Sequence, residues 1–414
     1  MHSRRALVSA VLLLGLAAVC AAAETNDWPQ FLGPNRTGIS AEKNLLDAWP
    51  KDGLKVVWRG TGGVGMSGLA IRDGRLLTLV QREGQQWLVA HDAANGEAIW
   101  QTALAPAYRN AMGDGPRGTP TIAGDKVLTF TGEGILTATK FKDGAAVWSH
   151  DCVKELKGKP AEYGMACSPL VVDGQVIVTV GAPDAAVAAF DLDLGKLAWT
   201  VGNDAAGYSS PALLKVGGRE QVVVFTGGSA LGVQPGSGKL LWRHPYQTNY
   251  DCNIATPIAI DGQVFLSAGE NHGSALLEIS PDNSVKEVWT SEGVKSVLRS
   301  EWQTPLLLGG YLYGMDNVGG AGPITHLNCV EAATGKRAWQ EARFGKGNFI
   351  AADGKLFIST MKGELIIARA SPKAYEEVGR ETILGTTRQA PSLSGGLLYL
   401  RDDKEIVCVD VRGN

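Results

Sequence analysis

Ten polar or aromatic residues in the loops of this chain carry the chemistry that it could perform. They are Arg109, Asp114, Arg117, Asp251, Asn253, Arg299, Glu301, Trp302, Asn317 and Arg388. Arginine can bind a carboxylate or a phosphate through paired hydrogen bonds, and a tryptophan ring offers a flat apolar face to a ligand. The set therefore predicts a site for an anionic ligand, a sugar-like ligand or a peptide segment. The alternative is ordinary loop polarity, in which these charges form salt bridges between neighbouring structural units.

The sequence patterns of common hydrolases and nucleotide-binding proteins are missing from the chain. No Ser-His-Asp order, H-E-x-x-H pattern or zinc-ligand spacing occurs. The glycine-rich stretch at 60–65 lacks the Lys-Ser/Thr pair of a phosphate-binding loop and does not open a helix. We therefore assign no catalytic residue and no metal ligand from motifs.

Eight short turns rich in glycine and aspartate recur between apolar runs, and they identify the elements that carry these loops. The runs are IRDGRLL (71–77), IAGDKVL (122–128), VVDGQVI (171–177), KVGGREQ (215–221), AIDGQVF (259–265), LLGGYLY (307–313), AADGKLF (351–357) and LSGGLLY (393–399). Such pairs between apolar runs are strong signals of a β-hairpin, because a tight hairpin turn needs positive φ angles. The chain is therefore predicted to be all-β.

Tryptophans recur in phase with the hairpins, 42 to 51 residues apart. They are Trp58, Trp100, Trp148, Trp199, Trp242, Trp289 and Trp339. Several end a D-x-x-x-G-x-x-x-W pattern, as in Asp92–Trp100 and Asp191–Trp199. Repeats of about 40 to 50 residues with four strand-like segments are typical of propeller blades. We predict an eight-bladed β-propeller of four-stranded antiparallel blades over residues 51–414.

The two ends of the repeat array predict how the ring closes. The unit around 378–383 lacks its tryptophan, and the last unit ends before a fourth strand. The lone strand at Leu54–Trp58 is therefore predicted to complete the last blade, which removes exposed strand edges.

The extension at 24–50 precedes the ring, and we expect it to pack Trp28, Phe31 and Ile39 on the outside. The loops that join strand four to the next strand one, and strand two to strand three, share one face of a propeller. The ten candidate residues fall in those loops, so they are predicted to surround the mouth of the central channel.

Small residues recur at one position of strand three: Ala90, Ala138, Ala189, Gly232, Cys329 and Cys408. The pattern predicts crowding between blades there, with Cys329 and Cys408 as small core residues. The cysteines that follow the leader are odd in number, which argues against a full disulfide framework. Cys152 and Cys167 lie in one long loop and could pair.

The termini and the charge limit the location and the partners. Residues 1–23 have the pattern of a secretory signal, with Arg4 and Arg5 before an apolar run that ends at Ala21–Ala23. We expect secretion across the inner membrane into the periplasm, with lipid attachment at Cys20 as an alternative. The formal net charge is −3 and no basic run occurs, so nucleic acid is not an expected partner. A monomer is expected.

The D-x-x-x-G-x-x-x-W turn, the Ser/Thr-Pro strand start and the eight units resemble the pyrroloquinoline-quinone-like (PQQ-like) propeller repeats over roughly residues 50–411. One branch of that family is the quinoprotein alcohol dehydrogenases. The resemblance implies a quinone between a tryptophan and a disulfide of adjacent cysteines, next to a calcium ion. This chain has no adjacent cysteines. In that reading Glu301, Asn253, Asp251 and Asn317 are candidate calcium ligands and Trp302 a candidate ring floor, although none lies in a motif of that branch.

The other branch is the non-catalytic scaffold of the outer-membrane β-barrel assembly machinery and its secreted relatives, which the segment at 27–40 resembles. A rigid disc with open edge strands can bind an extended peptide by strand addition. The resemblance therefore favours a non-catalytic binding or scaffold protein with periplasmic or outer-membrane protein partners and no assigned cofactor. A PQQ- and calcium-dependent alcohol dehydrogenase and a sugar- or polymer-binding module are the alternatives.

Overall fold

The computed structural model describes residues 26–320 and 323–413, which form eight antiparallel sheets of four strands each. The predicted leader at 1–23, including Cys20, lies outside these residues. Within them, no helix is long and apolar enough to cross a membrane. The prediction of an eight-bladed β-propeller is confirmed.

The strands follow one another blade by blade. After β1 (Lys55–Thr61), blades 1 to 4 consist of β2 (Ala70–Arg72), β3 (Arg75–Arg82), β4 (Gln85–Asp92), β5 (Ala98–Pro106), β6 (Thr121–Ala123), β7 (Lys126–Phe130), β8 (Ile135–Lys140), β9 (Ala146–Asp151), β10 (Leu170–Val172), β11 (Gln175–Ala182), β12 (Ala185–Asp191), β13 (Leu197–Val201), β14 (Ala212–Val216), β15 (Arg219–Phe225), β16 (Ser229–Val233) and β17 (Leu240–Pro245). A single-turn helix, α1 (Cys152–Glu155), follows β9.

Blades 5 to 8 continue the same order. They consist of β18 (Ile258–Ile260), β19 (Gln263–Ala268), β20 (Gly273–Ile279), β21 (Val285–Glu292), β22 (Leu306–Leu308), β23 (Tyr311–Val318), β24 (Ile324–Glu331), β25 (Arg337–Glu341), β26 (Gly347–Ala352), β27 (Lys355–Thr360), β28 (Glu364–Arg369), β29 (Glu376–Thr382), β30 (Ser392–Ser394), β31 (Leu397–Arg401) and β32 (Glu405–Asp410). Short 3₁₀ turns lie at Asn249–Asp251 and Gly293–Lys295.

The first and last strands close the ring. Strand β1 pairs antiparallel with β32, from Lys55 opposite Asp410 to Thr61 opposite Glu405, and completes blade 8 in the order β1-β32-β31-β30. The innermost strand of blade 1, β2, contacts the innermost strands of both blade 8 and blade 2. The predicted closure by an N-terminal strand is therefore confirmed.

The hairpin turns have the geometry that their glycines indicated. In seven of the eight turns between strands one and two, both central residues have positive φ, as in Asp73 (49°) and Gly74 (71°). This is the backbone of the tight turns that match the twist of a hairpin. The Gly124-Asp125 turn differs, because only its glycine has positive φ.

Four of the closing tryptophans, Trp58, Trp148, Trp289 and Trp339, are hydrogen-bonded to the segment of the following blade. The Trp58 indole nitrogen donates to the Ala93 carbonyl at 2.9 Å, and the same bond joins Trp148 to Leu192 at 3.1 Å and Trp289 to Ala332 at 3.0 Å. Each of these three rings covers a glycine of the next blade's D-x-x-x-G turn. A Cβ at Gly96 would lie 2.5 Å from the Trp58 ring, so that position requires glycine.

The tryptophans also explain the column of small residues in strand three. Each small residue lies directly opposite the tryptophan of its own blade, as Ala90 does to Trp100 and Cys408 does to Trp58. The crowding therefore comes from a cross-strand partner, whereas the sequence had suggested the neighbouring blade. Cys329 and Cys408 are fully buried, as predicted. All five described cysteines have free thiols, so the considered Cys152–Cys167 disulfide is not formed.

Blade 7 is the blade without a tryptophan of its own, and the N-terminal extension supplies one. Gly379 occupies the tryptophan position opposite Ile367. The ring of Trp49 lies over Gly379, so close that a Cβ there would be 2.3 Å from it. The extension is thus part of the packing of the ring.

The expectation that Trp28, Phe31 and Ile39 lie outside the ring is wrong, because this segment crosses the channel and closes it. Trp28 is 2% exposed and exchanges backbone hydrogen bonds with Ile71 of β2. Ile39 forms a parallel bridge with Ala351 of β26, on blade 7. The extended inner strands have backbone groups that face the channel, and this segment satisfies part of them.

Arg36 anchors the segment at the centre of the channel. Its guanidinium donates to the carbonyls of Ser168, Pro169 and Pro211 at 2.9, 2.9 and 2.7 Å. These carbonyls belong to the strand-one starts of blades 3 and 4, where proline interrupts the backbone hydrogen bonding. Arg36 is 5% exposed, and burial lowers its pKa to about 10.

Candidate binding well at the channel mouth

The channel opens on the opposite side into a blind well of about 200 Å³. Trp28, Phe31 and Leu32 of the N-terminal segment form its apolar floor. The starts of the innermost strands form its wall, with Thr119, Ser168, Ser210, Thr304 and Ser392. Loop side chains form its rim: Met66, Met112, Arg117, Tyr163, Tyr208, Trp302, Asn348 and Arg388.

Trp302 and two cations form one side of the rim. The Lys346 ammonium lies 4.4 Å from the centre of the indole ring, and the Arg388 guanidinium carbon lies 5.4 Å from it. Both distances are within the range of cation–π attraction. Trp302 is half-buried, so the ring and the two cations are positioned at the entrance of the well.

Arg388 retains hydrogen-bonding capacity toward the well. One terminal nitrogen donates to the Met112 carbonyl at 2.6 Å and lies 3.6 Å from the Met66 sulfur. Asn348 fixes the loop by donating to the Arg388 carbonyl at 2.7 Å. Within the described residues Arg388 forms no ion pair, which leaves its remaining donors available to a carboxylate or another acceptor.

Glu301 lies beside this group but is largely neutralised by it. The Lys346 ammonium is 3.0 Å from a Glu301 carboxylate oxygen. Burial raises the pKa of Glu301, and the attraction of Lys346 opposes that rise. Glu301 therefore serves to hold Lys346 against Trp302.

Arg117 also lines the well, but its donors are used by backbone. It donates to the carbonyls of Tyr163 at 2.6 Å and Gly113 at 2.8 Å, and also to that of Gly115. Its guanidinium covers the Tyr108 ring at 4.7 Å. Burial lowers the pKa of Arg117. This arginine shapes the loop at 108–117 and adds positive charge to the rim.

Arg299 is a structural residue. It binds Asp316 through two hydrogen bonds, at 2.7 and 2.8 Å, and both side chains are almost fully buried. Its backbone nitrogen donates to the same carboxylate at 3.0 Å. This arrangement ties the loop before blade 6 to β23 and leaves no carboxylate-binding fork for a ligand.

The two candidate amides are likewise occupied by protein groups. Asn253 donates to the carbonyls of Thr226 and Tyr246 at 2.7 and 2.8 Å and accepts from Thr248 at 3.1 Å. Asn317 donates to the Arg299 carbonyl at 2.9 Å and accepts from Thr325 at 2.9 Å. Both side chains are buried and hold mouth loops in place.

The remaining candidates lie on the outer part of the mouth. Arg109 is exposed, and Asp114 accepts from the Asn110 backbone nitrogen at 3.0 Å. Asp251 is half-buried beside Tyr250, and burial followed by the charge of Glu162 raises its pKa. Of the ten predicted site residues, the structure thus brings Arg117, Trp302 and Arg388 together around the well.

These positions do not fit the calcium–quinone pair of the dehydrogenase branch. The amide oxygens of Asn253 and Asn317 already accept from the Thr248 and Thr325 hydroxyls, and Glu301 is paired with Lys346. In the described ranges no three His, Cys, Asp or Glu side chains cluster closely enough to hold a metal ion. Adjacent cysteines are missing from the chain. We derive no reaction step through a quinone.

Several rim residues were missed as individual sites, although their loops were recognised. Lys346, Tyr163, Tyr208 and Tyr250 lie in strand-four-to-one loops, where any aromatic or basic side chain faces the mouth. Their position in these loops was the sequence signal that could have identified them as residues of the mouth. Nothing in the repeat predicted that Trp28 and Phe31 would form the floor, because the extension lies outside the periodic part of the chain.

The fold is that of an eight-bladed propeller with PQQ-like repeats, and a well opens at the mouth of its channel. The family model described as "Outer membrane protein assembly factor BamB" matches residues 84–341, more than half of the chain. The chain therefore belongs to this family.

A curated relative of the other branch is also similar. The quinohemoprotein alcohol dehydrogenase ADH IIB of Pseudomonas putida is 35% identical over 138 residues. The match covers 30% of this chain and 19% of that protein, so the chain spans about a fifth of the length of the curated relative it matches.

Solved structures from both branches share the fold. The quinohemoprotein alcohol dehydrogenase of Comamonas testosteroni has a TM-score of 0.68 and 15% identity, over 95% of this chain and 82% of that one. BamB of Moraxella catarrhalis has a TM-score of 0.57 and 13% identity, over 86% of this chain and 98% of that one. At these identities the similarity demonstrates a common fold.

Proposed function

We propose that this protein is a non-catalytic binding propeller, a scaffold that holds a segment of a partner protein at the mouth of its channel. The observation that carries the proposal is the contrast inside the predicted site. Three of the four side chains that could have held calcium, Asn253, Asn317 and Glu301, are engaged by protein groups, whereas Arg388 and Trp302 present a cation and an aromatic ring to an open well.

The chemistry of the well supports this proposal. Arginine and tryptophan are the residues that most often dominate the binding energy of protein interfaces. Methionine side chains such as Met66 and Met112 adapt their shape to a partner. The apolar floor can bury a side chain, and the blades provide a rigid frame that does not need to reorganise on binding.

The family suggests the kind of partner. Members of the BamB family are described by their role in outer-membrane protein assembly, and we propose partners of that class, in a periplasmic location. The leader at 1–23 supports this location. The test is the mass of the exported protein, which should correspond to cleavage after residue 23, and retention of the leader in exported protein would contradict it.

The binding role is tested by affinity capture from cell extract with the wild type and two mouth variants, Trp302→Ala and Arg388→Ala. The proposal expects proteins that the wild type retains and both variants lose. Arg219→Ala is the matched control, because Arg219 is exposed on the hairpin between β14 and β15, away from the mouth. Retention that is unchanged in both mouth variants would contradict the proposal.

A PQQ-dependent alcohol dehydrogenase is the second candidate, because the matched part of the Pseudomonas putida enzyme is 35% identical and because a planar polycarboxylate could contact the Trp302 ring and the Arg388 guanidinium near it. It is tested by titrating the protein with PQQ and Ca²⁺ in a calorimeter, followed by an alcohol panel with an artificial electron acceptor. We expect no saturable binding and no turnover. Stoichiometric binding that Trp302→Ala or Glu301→Ala abolishes, with alcohol oxidation, would establish the enzyme and overturn the scaffold.

A further inference from the structure

Three tyrosines form a cluster on the side of the mouth opposite Arg388. The rings of Tyr163 and Tyr208 are nearly parallel with centres 5.8 Å apart, and the Tyr250 ring is tilted against Tyr163 at 6.4 Å. Tyr163 and Tyr208 line the well, and Tyr250 is 59% exposed. We call these three rings, with Glu162 and Asp251, the tyrosine rim.

The rim is held rigidly by contacts between its loops. The Tyr163 backbone nitrogen donates to the Tyr208 hydroxyl at 3.2 Å. The backbone nitrogens of Tyr208 and Ser209 both donate to the Asn253 carbonyl at 3.0 Å, two residues beyond Asp251. These bonds join the loops that precede blades 3, 4 and 5. The rings are therefore pre-positioned, which lowers the entropy cost of binding.

The two carboxylates of the rim, Glu162 and Asp251, are not neutralised by a direct ion pair within the described part of the chain, although the Arg117 guanidinium lies nearby and donates to the Tyr163 carbonyl at 2.6 Å. Glu162 is exposed and Asp251 half-buried. Glu162 adds to the effect of burial in raising the pKa of Asp251, and Glu162 and Glu270 do the same for Tyr163. The carboxylates thus repel one another, and the faces of aromatic rings attract cations.

From this juxtaposition we infer that the tyrosine rim binds a cationic side chain, arginine or lysine, of the partner polypeptide. The inference rests on the proposed scaffold function and specifies its chemistry. The guanidinium or ammonium group stacks on Tyr250 and Tyr163 and pairs with Glu162 and Asp251. A neutral sugar would use the rings but leave the repulsion between the carboxylates in place, so the charge favours a cation.

The side of the mouth that carries Trp302 and Arg388 determines how a bound segment is oriented. Arg388, which lies over Trp302 and forms no ion pair within the described residues, makes that side positive. Lys346, in contrast, is paired with Glu301, and Arg117 lies next to the rim, where it donates to the Tyr163 carbonyl. A basic residue of the partner is therefore attracted to the tyrosine rim and repelled from the Trp302 side. This separation orients a bound segment across the well, since like charges placed together are unfavourable.

The test is fluorescence anisotropy of a dye-labelled, terminally blocked Gly-Arg-Gly-Arg-Gly peptide at low salt, against the same peptide with citrulline in place of arginine. Citrulline keeps the shape and removes the charge. We expect the citrulline peptide to bind at least tenfold more weakly and added NaCl to weaken the arginine peptide, because salt screens exposed charges. Equal binding of the two peptides would overturn the inference.

Protein variants locate the binding. Tyr250→Ala, Asp251→Asn and Glu162→Gln should each weaken the arginine peptide threefold or more, whereas Tyr250→Phe, which keeps the ring, should bind like the wild type. Glu220→Gln, an exposed carboxylate next to the β14–β15 hairpin, is the control for net charge. Thermal unfolding of each variant shows that the fold is intact. Rim variants that bind the peptide normally would contradict the inference.

The outcomes also separate this inference from the proposed function. If capture of partners depends on Trp302 and Arg388 but the arginine peptide does not bind, only the inference fails. If the arginine peptide binds but PQQ-dependent oxidation is found, only the scaffold proposal fails. If a neutral oligosaccharide binds the wild type and Asp251→Asn but not Tyr250→Ala, the inference of a cationic ligand is wrong and the tyrosine rim binds a sugar.

Discussion

The N-terminal segment at 26–50 and the loops of the mouth are both polypeptide outside the blades, yet they use their polar groups in opposite ways. In the N-terminal segment the polar groups are hydrogen-bonded to the blades: the Arg36 side chain donates to three carbonyls, and the Trp28 backbone pairs with a blade strand. In the mouth, Arg388 and Asp251 lack charged partners within the described residues. The difference teaches that one end of the channel is part of the folded core and the other is left open for binding.

The largest effect is expected at the closed end, from Arg36→Leu. The change removes three hydrogen bonds and leaves the buried carbonyls of Ser168 and Pro211 without a donor, each costing about 1–3 kcal/mol, whereas the Pro169 carbonyl keeps its bond from the Thr121 hydroxyl at 2.6 Å. We expect the free energy of unfolding to fall by about 4 kcal/mol or more, measured by urea denaturation. Arg36→Lys keeps the positive charge but loses the forked guanidinium. Its free energy of unfolding should lie between those of the wild type and Arg36→Leu. A denaturation midpoint of Arg36→Leu equal to the wild type would remove the distinction between the two ends.

The next largest effect is expected within the mouth, from Arg299→Ala. It removes both side-chain hydrogen bonds to the buried Asp316 carboxylate and leaves it the Arg337 guanidinium, 4.0 Å away, as its charged partner, and breaking a buried ion pair costs about 3–5 kcal/mol. Arg388→Ala, the matched change at the open well, should alter the free energy of unfolding by less than about 1 kcal/mol. Similar losses for the two arginines would show that burial does not separate structural from binding residues in these loops.

A third effect concerns Trp49, which closes blade 7 from outside the repeat. Trp49→Ala opens a gap over Gly379 in the packing of a half-buried ring, and we expect a loss of about 2–3 kcal/mol, less than for a fully buried aromatic residue. The loss should resemble that of Trp339→Ala, the closing tryptophan of blade 6, in the same urea assay. A loss below about 0.5 kcal/mol would mean that Trp49 covers the blade without stabilising it.

The smallest effect is expected at Asp251 and depends on pH. Its folded-state pKa is raised by burial and by Glu162, so stability is lost as the pH rises from the unfolded-state pKa of about 3.9 through the folded-state pKa, and the loss is complete above it. Asp251→Asn should therefore raise the melting temperature by about 1 °C at pH 7, and the gain should vanish below about pH 3, where the carboxyl is protonated in both states. Asp52→Asn, at an exposed aspartate outside the mouth, is the control. A gain that is constant with pH would rule out the charge as its cause.

The sequence was sufficient for the blades because their determinants are local and repeated. Asp-Gly turns, apolar runs and the tryptophan–glycine spacing all recur within about 50 residues, and a lone strand before the first blade implied the closure. The column of small residues was detected correctly, but its cause needed the pairing register that places Cys408 opposite Trp58.

The rest depends on contacts between distant residues that carry no periodic signal. Arg299 and Arg388 occupy similar loops, and only the position of Asp316 on β23 makes one a core residue. The path of the extension across the channel depends on carbonyls of blades 3 and 4 that the sequence does not mark. In the same way, the gap over Gly379 was visible as a missing tryptophan, whereas its filling by Trp49 was not.

The pairing of β1 with β32 has a consequence for how the protein is made. Lys55 is synthesised before the first blade, and its partner Asp410 is synthesised only after the seven preceding blades. Folding rates fall as contacting residues become more distant along the chain, because loop closure must precede the contact. Seven blades can stack in the order of synthesis, but the ring waits for the final strand. A chain stopped a few residues early would keep most of its blades and still remain an open arc.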